Sequence, residues 1–142
     1  MEPRISIITL GVSDLERSFK FYHHGLGFPA KRDPEVDIIF FNTNGVCLAL
    51  YPRDKLAEDV GDRFKGSEDG FSGVTLAHNV REKSEVKAIL QKAQDHWAEI
   101  VKDAEDTFWG GHSGYFTDPD GHLWEIAWGA FEFNEDGSLV IP

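Results

Sequence analysis

Apolar residues run almost unbroken from Ile5 to Val12, and the pattern then shifts to a helical period in which Leu15, Phe19 and Tyr22 share one face. Ser13 and Glu16 stand three apart ahead of that face and predict a capping box, while Gly25 or Gly27 supplies the permissive backbone that ends the helix. Strands are expected at Phe28 to Arg32, Val36 to Thr43 and Val46 to Tyr51, the last two joined by an Asn44-Gly45 turn. Pro52 to Ser72 is rich in charge and glycine and reads as a connection, with a short helix over Asp54 to Val60.

The order of elements then repeats. A strand over Val74 to Val80 precedes a helix from Lys83 to Trp97, with Val86, Ile89, Leu90, Ala93 and Trp97 in one apolar stripe. Further strands are expected at Glu99 to Lys102, Gly114 to Thr117 and His122 to Trp128, with Asp118-Pro119-Asp120-Gly121 as the last turn. Ile39 to Gly45 and Tyr115 to Gly121 follow one plan, a strand end running into a glycine turn, so the chain reads as internally duplicated. Phe131-Glu132-Phe133 and Leu139-Val140-Ile141 flank Asn134-Glu135-Asp136-Gly137 and predict a small added hairpin.

With 142 residues the chain has room for one functional unit or two small modules. A formal charge of -11 repels nucleic-acid backbones and anionic lipid, so neither is an expected partner. Cys47 is the only cysteine, which excludes an internal disulfide and a thiolate metal cluster and fits a reducing cytoplasm. The apolar run after Met1-Glu2-Pro3-Arg4 is too short for a signal segment, and no stretch reaches membrane-spanning length. A soluble cytoplasmic protein is expected.

Thr9-Leu10-Gly11-Val12-Ser13-Asp14-Leu15-Glu16 with Phe21-Tyr22, and Gly114 to Ile126 through the Asp118-Pro119-Asp120-Gly121 turn, resemble the vicinal oxygen chelate superfamily. That superfamily holds glyoxalase I, bleomycin-resistance proteins and extradiol dioxygenases. The resemblance covers roughly residues 4 to 130 and implies an α+β fold of tandem βαβββ modules forming an incomplete β-barrel cup, often as a homodimer. One domain is expected, with modules over 4–52 and 73–130, a connection over 53–72 and a tail over 131–142.

In the superfamily's enzymes, metal ligands stand at one position in the first strand and one in the last strand of each module. Carried onto this sequence, the first-strand positions fall at Ile7 and Val74, and the last-strand positions at Ala49 and Glu125, four past Gly45 and Gly121. Only Glu125 offers a ligand atom, and one carboxylate does not hold a divalent ion tightly, so no metal or other cofactor is expected. Glu125 is instead a candidate base, or else a remnant tied up by a neighbour. Alternation along Trp124-Glu125-Ile126-Ala127-Trp128 sets the carboxylate with Ala127 on the cup face.

The other candidates for ligand contact are Ile7, Thr9, Ala49, Tyr51, Val74, His78, Trp109, His112 and Tyr115. His78 is read on the same side as Val74, with a carbonyl-satisfied structural histidine as its alternative. Trp109 and His112 lie in the loop Thr107-Phe108-Trp109-Gly110-Gly111-His112, a lid over the cup or a bulge at the strand start. Trp109 and Tyr115 offer planar faces for stacking. Trp97, Trp124, Trp128, Phe19 and Phe21 are assigned to the core, His23 and His24 to the helix end, and Cys47 to packing.

The leading expectation is a protein that binds a small organic molecule in an apolar, aromatic cup without the usual metal, as a binder or as an enzyme with Glu125 as base. A metal-dependent lyase of the glyoxalase I type, a drug-sequestering resistance protein and a purely structural adaptor are the alternatives.

Overall fold

Paired β-branched and aromatic residues build the first sheet. In the computed structural model, which describes residues 1, 5, 7–60, 72 and 74–140, β1 (Ile7–Val12) lies parallel to β3 (Cys47–Pro52), and β2 (Ile39–Asn42) pairs antiparallel with β3. Their order is β1-β3-β2. Side chains paired across neighbouring strands share a face. Leu10, Val12, Leu48, Leu50, Ile39 and Phe41 fall together on one face and are buried. α1 (Leu15–Phe19) and its π-helical continuation Lys20–Gly25 supply Phe19 and Tyr22, whose rings stand 6.4 and 5.7 Å from that of Phe41. The opposite face carries Ile7, Thr9, Gly11, Cys47, Ala49, Tyr51, Phe40 and Asn42. α2 (Arg53–Val60) closes its Gly11 end, where an added Cβ would lie 3.3 Å from both Arg53 Cα and Leu56 Cδ2.

The second sheet follows the same plan with one more strand. Its strands are β4 (Leu76–Asn79), β5 (Glu99–Asp106), β6 (His112–Thr117) and β7 (Leu123–Trp128), in the order β4-β7-β6-β5. α3 (Lys83–Gln94) buries Val86, Leu90 and Ala93, and the sheet face with buried Phe116, Trp124 and Ile126 packs beneath it. Gly114 is required on that face, because a Cβ there would lie 2.5 Å from Leu90 Cδ1 and 2.9 Å from the Lys102 carbonyl. β5 bulges on either side of Lys102. The turn into β7 is made by Asp118, whose Oδ1 accepts from the amides of Asp120 and His122, and by Gly121 at φ 85°. The two compact units are Met1–Ser72 and Gly73–Pro142.

Several expectations are corrected. Phe28 to Arg32 forms no strand, only a single bridge from Ala30 to Phe41, so among the described residues the first unit has three strands and the second four. The cap of α1 is Asp14, which accepts from the Arg17 amide at 2.9 Å, rather than Ser13, which accepts from the Arg17 guanidinium. α3 ends at Gln94, and Trp97 leaves the expected apolar stripe: it is 62% exposed, with φ 76°. The Ala98 amide returns to the Ala93 carbonyl at 3.0 Å, and Ala98 is the residue that turns inward. Much of the expected connection, 61–71, lies outside the described residues, as do Ile141 of the tail and Arg4 at the start. None of the described helices is long and apolar enough to cross a membrane.

Candidate functional site

β7 is the central element of the candidate site because its neighbours fix what surrounds Glu125. Ala77 of β4 stands beside Glu125 on one side and Tyr115 of β6 on the other. The next row on the same face is Asn79, Ala127 and Ser113, of which Ala127 and Ser113 are buried. Burial first, and then the neighbouring Glu125 carboxylate, push the Tyr115 phenol above its ordinary value, so it stays protonated. Glu125 and Tyr115 are half-buried and Ala77 is exposed, which leaves the pair open on the β4 side.

Trp109 covers the far end of this face. A Cβ on Gly111 would lie 1.8 Å from its ring, and one on Gly129 would lie 2.7 Å away. Gly111 and Gly129 continue the His112 to Trp128 pairing by one step, on the parity of Ser113, Tyr115 and Glu125, so the indole lies over the Glu125 face. The loop that carries it is tied at Thr107: its amide donates to the Gly111 carbonyl, and its hydroxyl accepts from the Gly111 amide, both at 3.0 Å. Phe131 backs the indole, ring centres 6.1 Å apart. Phe131 was not among the sequence candidates; its signal is Gly129 just past β7, a small residue that leaves room for a ring.

Two histidines fall on the other face. His78 pairs with Ile126, not with Glu125, so it points to the side covered by α3. Its surface is open, yet the protein around the ring lowers its pKa by desolvation, and Glu85 of α3 opposes that shift. His112 shares the parity of Phe116; its Nδ1 is 2.7 Å from Asp106 Oδ1, and Lys83 Nζ is 2.6 Å from the same oxygen. Lys83 and then His112 hold the Asp106 carboxyl below its ordinary value. Neither histidine joins Glu125, because a one-residue step on a strand reverses the face.

Val74 is displaced for the same reason. The pair Thr9 and Ala49 corresponds to Ala77 and Glu125, so the position matching Ile7 is Thr75, and Val74 lies exposed ahead of β4. Ile7, Thr9, Ala49 and Tyr51 do share one face of the first sheet, with Cys47 and the half-exposed ring of Phe40. Of the matched positions, Ile7 and Ala49 offer no ligand atom, Thr75 offers only a neutral hydroxyl, and Glu125 alone offers a carboxylate. Among the described residues no three His, Cys, Asp or Glu side chains gather as a metal site would need. This donor set does not fit a tightly held divalent ion at those positions.

The sequence matches the family model of the Glyoxalase/Bleomycin resistance protein/Dioxygenase superfamily over residues 4–126. A glyoxalase-related enzyme from Fulvimarina pelagi is 37% identical, with 98% of each chain covered and a TM-score of 0.87. A glyoxalase/bleomycin resistance protein/dioxygenase from Nocardioides is 25% identical over 90% of this chain and 84% of its own, with a TM-score of 0.73. A family enzyme from Burkholderia phytofirmans shares the fold at 19% identity, covering 88% of this chain and 98% of its own, with a TM-score of 0.76.

Proposed function

From the premise that this chain belongs to the Glyoxalase/Bleomycin resistance protein/Dioxygenase superfamily, we propose that it binds a small organic molecule on the Glu125 face of its second sheet, without the metal of the superfamily's enzymes. The observation that carries this reading is the row in which Glu125 stands between Tyr115 and exposed Ala77 on one face of the sheet. Tyr115 flanks the carboxylate on one side, and its accepting capacity on the Ala77 side is left for a ligand. A ligand group that donates a hydrogen bond, such as an ammonium or hydroxyl, is the complement. The chain's charge of -11 favours a cationic one.

Binding energy on such a face comes from apolar contact with Trp109, and orientation comes from Glu125. If the bound molecule carries an acidic proton at the carboxylate, Glu125 is the group placed to take it, with Tyr115 stabilising the anionic oxygen before transfer. Sequestration and proton transfer use the same residues, and Glu125→Gln separates them. Loss of turnover with retained affinity marks a base, whereas loss of affinity marks an anchor.

Native mass spectrometry with metal analysis of the purified protein tests the reading. The expected result is an organic adduct that Glu125→Gln protein carries in smaller amount, with metal well below stoichiometric. About one equivalent of nickel, zinc, iron or manganese surviving dialysis would sink the metal-free site.

A further inference from the structure

We infer that the segment from Gly129 to Val140 is a strap that builds one wall of this site, and that Phe131, with the Trp109 it backs, selects ligands bearing a planar ring. The inference rests on the ligand site proposed at Glu125. The strap begins beyond residue 126, where the family match ends.

The strap is fastened at several points. The Phe131 amide donates to the Gly129 carbonyl at 2.8 Å, turning the chain sharply after β7. Phe133 and Leu139 bridge, and the Val140 amide donates to the Glu132 carbonyl at 2.9 Å, which closes the expected hairpin. Arg81, in the link between β4 and α3, clasps it: the guanidinium lies 4.4 Å from the Phe133 ring centre and donates to the Asn134 carbonyl at 3.4 Å. The Arg81 carbonyl also accepts from the Trp128 indole at 3.2 Å.

This clasp positions Phe131 behind the Trp109 ring. Trp109 keeps 46% of its surface open, so its indole offers a face or edge to a ligand while Phe131 limits its retreat. From Gly129 to Glu125 the strand advances by four residues, about 13 Å between Cα atoms. That span suits one ring against Trp109 joined by a short linker to a donor at Glu125. The chemical class is an arylalkyl ammonium or a similar ring with a terminal donor.

Isothermal titration of the full chain with phenethylamine and with cyclohexylethylamine tests the wall, because both probes carry the same ammonium and only one carries a planar ring. The native protein should prefer phenethylamine by roughly three- to tenfold. Phe131→Leu, which keeps apolar bulk, and Gly129→Ala, whose Cβ would meet Trp109 at 2.7 Å and Phe131 at 3.3 Å, should erase that preference and retain amine binding. Glu125→Gln should weaken both probes alike. A native protein without the preference, or a preference intact in both Phe131→Leu and Gly129→Ala, overturns the inference. If Glu125→Gln changes neither affinity while the strap variants still erase the preference, the wall stands and the Glu125 anchor fails.

Discussion

Tyr115 and Glu125 are direct partners in the β6 to β7 register, and the Glu125 carboxylate helps to raise the pKa of the Tyr115 phenol. Tyr115 therefore reports on the site. Its pKa is raised first by burial and then by Glu125, so Glu125→Gln should bring phenol ionisation down towards 10 without restoring it fully. Because the folded-state value is raised, the associated stability is present below the unfolded pKa and is lost as pH rises through the folded one. Phenolate absorbance during alkaline titration measures the shift. An unchanged late-titrating tyrosine in Glu125→Gln would show that the carboxylate does not act on the phenol in solution.

The two faces of the second sheet should respond differently to substitution. Ala77 is exposed next to Glu125, so Ala77→Phe should crowd the site and weaken phenethylamine binding about tenfold or more. His78, one residue on, faces α3, and His78→Gln should leave the affinity unchanged. The imidazole should also titrate below its ordinary 6.5, measured by its NMR shift, since desolvation lowers it. Its contribution to stability is then present above the unfolded pKa and lost as pH falls through the folded one. A ligand-dependent shift of the His78 ring would contradict the assignment of faces.

Much of this arrangement was legible in the residues. Alternation from Trp124 to Trp128 set Glu125 and Ala127 on one face, and the Asp118 to Gly121 turn fixed where β7 starts. The stripe Val86, Leu90 and Ala93 identified α3. What failed was the match between the two units: β4 is a short strand of four residues, and an alignment off by one, placing Val74 rather than Thr75 opposite Ile7, sent Val74 and His78 to the wrong face. Phe28 to Arg32 has strand-like residues at only one end and gains one bridge. The Phe131 wall was hidden because it depends on pairing Trp109 with a segment beyond β7, a tertiary contact that no local periodicity encodes.

Gly111 should resist any side chain. An added Cβ would lie 1.8 Å from the Trp109 ring and 2.6 Å from the Trp128 carbonyl, so Gly111→Ala must displace the indole and strain the strand end. The expected cost is about 1–3 kcal/mol by urea denaturation. Trp109→Ala should recover part of it in the double variant, because one of the two obstructions is then gone. Strict additivity of the two changes would show that the indole does not lie over Gly111.

Trp97 holds a left-handed backbone, φ 76°, while 62% of its surface meets solvent. The position is set by the exit from α3: the Trp97 amide donates to Gln94 and the Ala98 amide to Ala93, a helix ending that glycine fulfils without steric cost. A left-handed non-glycine residue costs about 1–2 kcal/mol. Against that, Trp97 contributes an edge contact with His96 at 6.4 Å and little burial. Trp97→Gly should therefore stabilise the fold by up to about 1 kcal/mol, the relieved strain outweighing the greater freedom of an unfolded glycine. Trp97→Ala keeps the Cβ and should give no such gain. Urea midpoints at constant slope measure both, and a destabilised Trp97→Gly would mean that the exposed indole makes a stabilising contact larger than the strain it bears.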